Sequence, residues 1–150
     1  MQHVAAEPDR ASLANALREL EAARTRVERD ARAVSDEMRK QLIEKLLPVL
    51  DNLDRTIATA EADRNSPAVV EGVRLVRAQL EGVLRGYGLE RLDATEMRFD
   101  PAVHEAVATV PVHSRTLHEA VLEQVAPGYR FAGALLRPAK VVVGLFRAQC

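Results

Sequence analysis

A row of apolar residues at alternating steps of four and three runs from Leu13 through Leu17, Leu20, Val27, Ala31 and Val34 to Met38, with Arg24 occupying one place in it. Such steps are the heptad seam of a coiled coil, and they predict one long helix over roughly residues 11–60. Glu19, Glu21, Arg26, Glu28, Arg29 and Asp30 flank the seam with charge of both signs. A single helix cannot bury so narrow a stripe alone, so the chain needs a partner, and a second copy of itself is the simplest one. Beyond Met38 the apolar residues are Leu42, Leu46, Leu50, Leu53 and Ile57, mostly at steps of four. That longer repeat predicts a supercoil that relaxes or reverses. Arg24, Ala31 and Gln41 bury little and thin the seam. Pro48 lies inside the pattern; an interior proline costs a helix about 3 kcal/mol, and here it is expected to mark a bend.

A second, shorter helix is punctuated at both ends. Ser66 stands where a cap belongs and Pro67 at the first helical position. Val69, Val73, Val76, Leu80, Val83 and Tyr87 form one stripe, and Gly88 follows as a left-handed stop. The short connection from Thr59 to Asn65 predicts a helix folded back antiparallel on the end of the first. Two such hairpins, one per protomer, would make a four-helix bundle. Gly72 sits mid-helix at a cost of up to about 1 kcal/mol relative to Ala, which points to close approach of another backbone inside that bundle. The expected dimer interface is therefore Leu13, Leu17, Leu20, Val27, Val34, Met38, Leu42, Leu46, Leu50, Gly72, Val73, Val76 and Leu80.

From Leu89 to Phe146 the texture changes. Prolines at 101, 111, 127 and 138 and glycines at 128, 133 and 144 forbid a long helix. The Val-rich runs between them, Ala106 to Val110, Val121 to Val125, Leu135 to Leu136 and Val141 to Phe146, read as short strands of a compact all-β module. His118 to Val125 also reads as a helical turn. A module this small has a marginal core and should gain from docking onto the helices. The fold class expected is α+β: a disordered N-terminus over 1–10, a helical dimerisation region over 11–88 with a parallel coiled coil and a dimeric bundle, a β-domain over 89–147, and a tail over 148–150.

Composition closes off several functions. Lys and Arg number 21 against 22 Asp and Glu, a net charge of −1 that does not suit a nucleic-acid binder. Arg18, Arg24, Arg26, Arg29 and Arg32 are interleaved with acids and read as coiled-coil ion pairs rather than a phosphate stripe. Cys150 is the single cysteine, so no disulfide forms within the chain. His3, His104, His113 and His118 lack metal-ligand spacing, no Gly-rich phosphate loop occurs, and the serines sit in no nucleophile context. Asp51 and Asp54, one helical turn apart, read as solvated charges beside Arg55. No catalytic residue, metal or cofactor is expected. The absence of a leader pattern and of an apolar run of about 20 residues makes the cytoplasm the default location and excludes a membrane partner.

Four motifs in order carry a resemblance. Leu46-Leu47-Pro48-Val49-Leu50-Asp51-Asn52-Leu53-Asp54-Arg55, Glu71-Gly72, Phe99-Asp100-Pro101-Ala102-Val103-His104-Glu105-Ala106, and Gly128-Tyr129 followed by Leu136-Arg137-Pro138-Ala139 and Val141-Val142-Val143 together resemble the GrpE family. The resemblance covers about residues 24–146. It implies a homodimer that binds the nucleotide-binding domain of a DnaK-type chaperone and speeds ADP release, in protein folding and the heat-shock response. Unfolded polypeptide would be reached only indirectly, through the chaperone. It implies chaperone-binding roles for Arg137, Pro138, Val125, Val143, Leu53, Asp54 and Arg55. Arg137 is the strongest single candidate, with a solvated strand arginine as its lesser alternative, whereas Val125 and Val143 read equally well as buried strand residues. Ala134 stands where family members often carry a second basic residue. That departure leaves a second reading open, a coiled-coil homodimeric adaptor without exchange activity.

Overall fold

The computed structural model describes residues 9–63 and 66–147, so expectations for the N-terminus before Asp9 and for the tail with Cys150 lie outside the described residues. Two helices precede six strands: α1 (Arg10–Ala62), α2 (Pro67–Gly86), β1 (Leu89–Leu92), β2 (His104–Val112), β3 (Val121–Ala126), β4 (Gly128–Phe131), β5 (Ala134–Arg137) and β6 (Ala139–Phe146). A 3-10 turn at Arg115–Leu117 precedes β3. The chain forms two compact units, one up to Gln41 and one from Leu42 onward. No described helix is long and apolar enough to cross a membrane.

Within the first unit α1 stands alone. Leu13, Leu17, Leu20, Val27, Val34 and Met38 are all more than half exposed, so the heptad stripe is intact and unburied in a single chain. Only local pairs such as Arg24 with Glu28 decorate it, and exposed pairs of that kind add little stability.

In the second unit the end of α1 meets α2. The ion pairs Asp54–Arg77 and Glu61–Arg74 step in opposite directions along the two helices, which makes the pair antiparallel, as the short connection requires. α1 continues through Pro48 without interruption; the ring is exposed, on the side away from the buried Leu47 and Leu50. Ser66 holds the N-cap position, but its side chain makes no capping bond; its carbonyl instead accepts the N–H groups of Val69 and Val70. At the other end Gly88 has φ +102° and donates to the Arg85 carbonyl, the left-handed stop that only glycine adopts without strain.

The strands form two three-stranded sheets, ordered β1-β4-β5 and β2-β6-β3. The first is antiparallel throughout; in the second β6 pairs parallel with β2 and antiparallel with β3. Val121 onward is thus strand rather than helical turn. Pro111 is tolerated because β2 is an edge strand. Sequence reading missed β1, whose Leu-Glu-Arg-Leu is half charged, and β4, whose Gly-Tyr-Arg-Phe reads as a turn and one aromatic.

Each sheet has its own core. Ile43, Leu47 and Leu50 of α1 and Leu84 of α2 pack with Leu89, Tyr129 and Phe131 of the first sheet. Ala94, Val121, Ala139, Val141 and Val143, with Phe99 against them, fill the second. The Phe99–His104 loop closes on itself: Asp100 N–H donates to His104 Nδ1 at 2.9 Å and the Asp100 carbonyl accepts the His104 N–H at 2.8 Å. That motif is therefore a structural clasp at the start of β2.

Three backbone positions set the sheets' geometry. β4 and β5 are joined by Ala132 (φ +47°) and Gly133 (φ +81°), the paired positive φ of a tight two-residue hairpin. Gly144 lies hard against the Leu117 carbonyl, where no side-chain carbon fits. Ala132→Asn, better suited to left-handed backbone, should stabilise the protein by about 0.5–1 kcal/mol in thermal unfolding. Gly144→Ala should destabilise it by about 1–3 kcal/mol, since the opposing atom is backbone and cannot step aside.

Candidate partner-binding site at the junction of helix and sheet

α1 carries Asp51 and Asp54 one turn apart on a half-buried face where each is paired with an arginine rather than simply solvated, and this corrects the sequence expectation for that pair. Asp54 accepts the Arg77 Nε–H of α2 at 2.6 Å. Asp51 reaches 86 residues along the chain to Arg137 at the end of β5, whose Nη1 and Nη2 donate to its two oxygens at 2.6 and 2.7 Å. This bidentate fork is the strong form of an arginine–carboxylate pair. Arg137 Nε and Nη2 also donate to the Pro127 carbonyl at 3.1 and 3.0 Å, and its guanidinium lies 5.1 Å from the Tyr129 ring centre.

Arg77 is engaged on two sides, with Asp54 and with the buried Glu81 one turn on. Burial alone would lower the Arg77 pKa, but its hydrogen bond to Asp54 and the charges of Asp54 and Glu81 outweigh that and hold it above the ordinary value. For Arg137 the hydrogen bond to Asp51 is the largest influence, and the group is likewise held above its usual range despite partial burial. Both guanidinium groups therefore stay charged at any accessible pH. Tyr129 lies between them at 0 % exposure. Burial first, then the nearby charges of Glu81 and Asp54, push its hydroxyl up to about 12. Its Oη and the Arg77 Nη2 are buried with no protein hydrogen-bond partner.

Beside this network a groove of about 580 Å³ opens between α1 and the strands, lined by Asp51, Asp54, Arg55 and Ala58 on the helix and Arg91, Gln124, Val125, Ala126, Pro127 and Lys140 on the other side. Of the residues expected to touch a partner, Asp54, Arg55 and Val125 line it. Val125 is 57 % exposed, a strand valine presented to solvent, and Arg55 is exposed, with a 3.5 Å bond to Asn52. Leu53 and Pro138 are half-buried near its margins in sequence but are not part of the lining. Val143 is 6 % exposed inside the second core. Arg137 is neither solvated nor free; it is turned inward onto Asp51.

Sequence reasoning missed Arg77, Glu81 and the Pro127 carbonyl. Arg77 and Glu81 carried no signal beyond an ordinary helical spacing of four, and a backbone carbonyl carries none. Gly128 had a signal, as a glycine ahead of a strand: a Cβ there would lie 2.6 Å from the Ala139 nitrogen, so it permits β4 to cross close to the β5–β6 link. Gly72, by contrast, is exposed with open space around it in one chain.

The raised Tyr129 pKa has a definite sign. The folded state keeps the phenol proton that the unfolded chain loses near pH 10, so stability declines as pH rises from about 10 through about 12. Tyr129→Phe should flatten that decline in urea titrations across the window. At neutral pH it should be neutral or stabilising by up to about 1 kcal/mol, because the hydroxyl it removes has no protein partner.

Comparison with known proteins accords with this architecture. The GrpE family model matches residues 5–144. The chain is 38% identical over 104 residues to Protein GrpE of Limosilactobacillus reuteri, which is 69% of this chain and 55% of that protein. It is 38% identical over 102 residues to Protein GrpE of Lactiplantibacillus plantarum, covering 68% and 51%. Against Protein GrpE of Thermus thermophilus the identity is 37% over 121 residues, covering 81% and 65%. The chain thus spans between about half and two thirds of the length of these relatives. With the family model spanning both helices and nearly all of the strands, the chain belongs to the GrpE family.

Proposed function

We propose that this protein is a nucleotide-exchange factor, a homodimer that binds the nucleotide-binding domain of a DnaK-type chaperone in the cytoplasm and accelerates release of ADP. The observation that carries the reading is the junction itself: two arginine–carboxylate pairs fasten α2 and the β1-β4-β5 sheet to one face of α1 while leaving an exposed apolar residue, Val125, over an open groove. An exchange factor needs no nucleophile, acid or metal. It must bind the open, nucleotide-free partner better than the closed one, and then by reciprocity it lowers nucleotide affinity by the same factor. A face that is already rigid spends little of its binding energy on ordering itself.

Leu53, Asp54, Arg55, Val125 and Pro138 are the residues we assign to the chaperone-facing surface, with Arg137 and Val143 holding that surface from behind. The dimer is supported by the unburied seam on α1 and by Val76 of α2, all more than half exposed in a single chain. Leu42 joins that exposed set, while Leu50 is fully covered by its own chain and Leu46 and Leu80 pack against the same internal core. Of these three, Leu46 and Leu80 are only partly buried and keep some surface for a second copy. The open surroundings of Gly72 and the partial exposure of Val73 are consistent with a second hairpin lying there.

Stopped-flow release of a fluorescent ADP analogue from a DnaK-type chaperone tests the reading. The chain should raise the release rate on the order of 10–100-fold at saturation. No acceleration, with the dimer intact, would favour a coiled-coil adaptor instead. In sedimentation the protein should run as a dimer, and Leu20→Glu with Val27→Glu should shift it to monomer by placing charges in the seam.

A further inference from the structure

Arg137 is the residue whose motif points most directly at a partner, yet its side chain is spent inside the molecule. Two η nitrogens hold both oxygens of Asp51, Nε and Nη2 hold the Pro127 carbonyl, and the flat face lies over Tyr129. Four of the five N–H groups of a guanidinium are engaged by that count, and the side chains of both ion-pair partners are only about a quarter exposed, at 24 % and 26 %. We infer that Asp51 and Arg137 form a positioning latch, which fixes the β1-β4-β5 sheet against α1, and that exchange depends on this fixity rather than on Arg137 touching the chaperone. The inference rests on the exchange reading above and names what regulates its efficiency.

The placement of the latch supports this role. Arg137 closes β5 immediately before Pro138 and β6, so one side chain ties the end of the first sheet to the start of the central strand of the second. Pro127 separates β3 from β4 in the same way, and its carbonyl meets the same guanidinium. Two of the three crossings between the sheets, those at Pro127 and Pro138, are thereby gathered on one group, and Asp51 anchors that group to the helix. Groove residues Val125 and Lys140 flank the two crossings, two positions from Pro127 and Pro138 respectively. Loosening Asp51 would therefore let the groove's strand wall move relative to its helix wall. A lysine could supply the charge at 137 but not the fork, so Arg137→Lys should not restore the geometry.

A double-mutant cycle separates positioning from contact. Asp51→Asn, Arg137→Gln and the combined variant are compared with wild type in the full-length protein, after circular dichroism and sedimentation verify fold and dimer. ADP release from the chaperone and amide hydrogen exchange of the protein alone are both read. The latch predicts that Asp51→Asn and Arg137→Gln each cut the acceleration about tenfold, and that the combined variant is no worse than either. It also predicts faster amide exchange in β4 and β5 in each variant. The latch is overturned if Asp51→Asn accelerates release like wild type while Arg137→Gln does not, since a freed Arg137 would then be acting by contact. It is equally overturned if amide exchange in β4 and β5 is unchanged. If wild type itself fails to accelerate release, the exchange reading falls, and the amide data alone decide whether the latch exists. Should a single variant unfold by leaving one charge unpaired, the combined variant carries neither charge, and its own release rate and amide exchange in β4 and β5 then decide: both unchanged from wild type overturns the latch.

Discussion

Two carboxylates one turn apart on α1 organise everything that follows them in the chain. Asp54 takes hold of α2 through Arg77, and Asp51 takes hold of the β1-β4-β5 sheet through Arg137. Between the two arginines sits Tyr129, wholly buried, with Leu47, Leu50 and Leu84 in the same core. The apolar contacts supply most of the stabilisation, because burial scales with area and ion pairs at partial exposure contribute modestly. What the pairs add is direction. A leucine cluster tolerates sliding and rotation, whereas a bidentate fork accepts one geometry.

That division of labour explains which parts of the fold were legible beforehand. Periodicity exposed both helices, since seam residues such as Leu13 and Leu17 recur at helical steps whatever their tertiary fate. Val-rich runs bounded by Pro and Gly exposed β2, β3, β5 and β6. β1 stayed hidden because two of its four residues, Glu90 and Arg91, are charged, and four residues are too few for alternation to register. The site was half legible. Asp54, Arg55 and Val125 were singled out and share one groove, but the motif alone could not say that Arg137 turns inward. Its partner lies 86 residues away, and no local pattern encodes a contact at that separation.

The sharpest departure concerned Asp51, read as a solvated charge and found beneath Arg137. An aspartate on a polar helix face usually is solvated; here the sheet packs onto that face, and tertiary burial overrides the local expectation. The same burial raises the Tyr129 hydroxyl to about 12 and leaves it unpaired, a local cost carried by the surrounding core. Such a junction suits a protein whose proposed work is mechanical. Binding energy can open a partner's cleft only if the face that receives it does not yield first.

The central claim is that the carboxylate pair on α1 makes helix and strands one rigid body from Leu42 onward. Pulsed dipolar spectroscopy between spin labels at the exposed positions 44 on α1 and 105 on β2, with Cys150 replaced by serine and the labelled chain diluted in unlabelled protein so that pairs within one protomer are read, measures that directly. The account predicts one narrow distance distribution in the otherwise unaltered protein, broadening when Asp51→Asn and Asp54→Asn are combined. A distribution that is already broad, or one that the two substitutions leave unchanged, would contradict it.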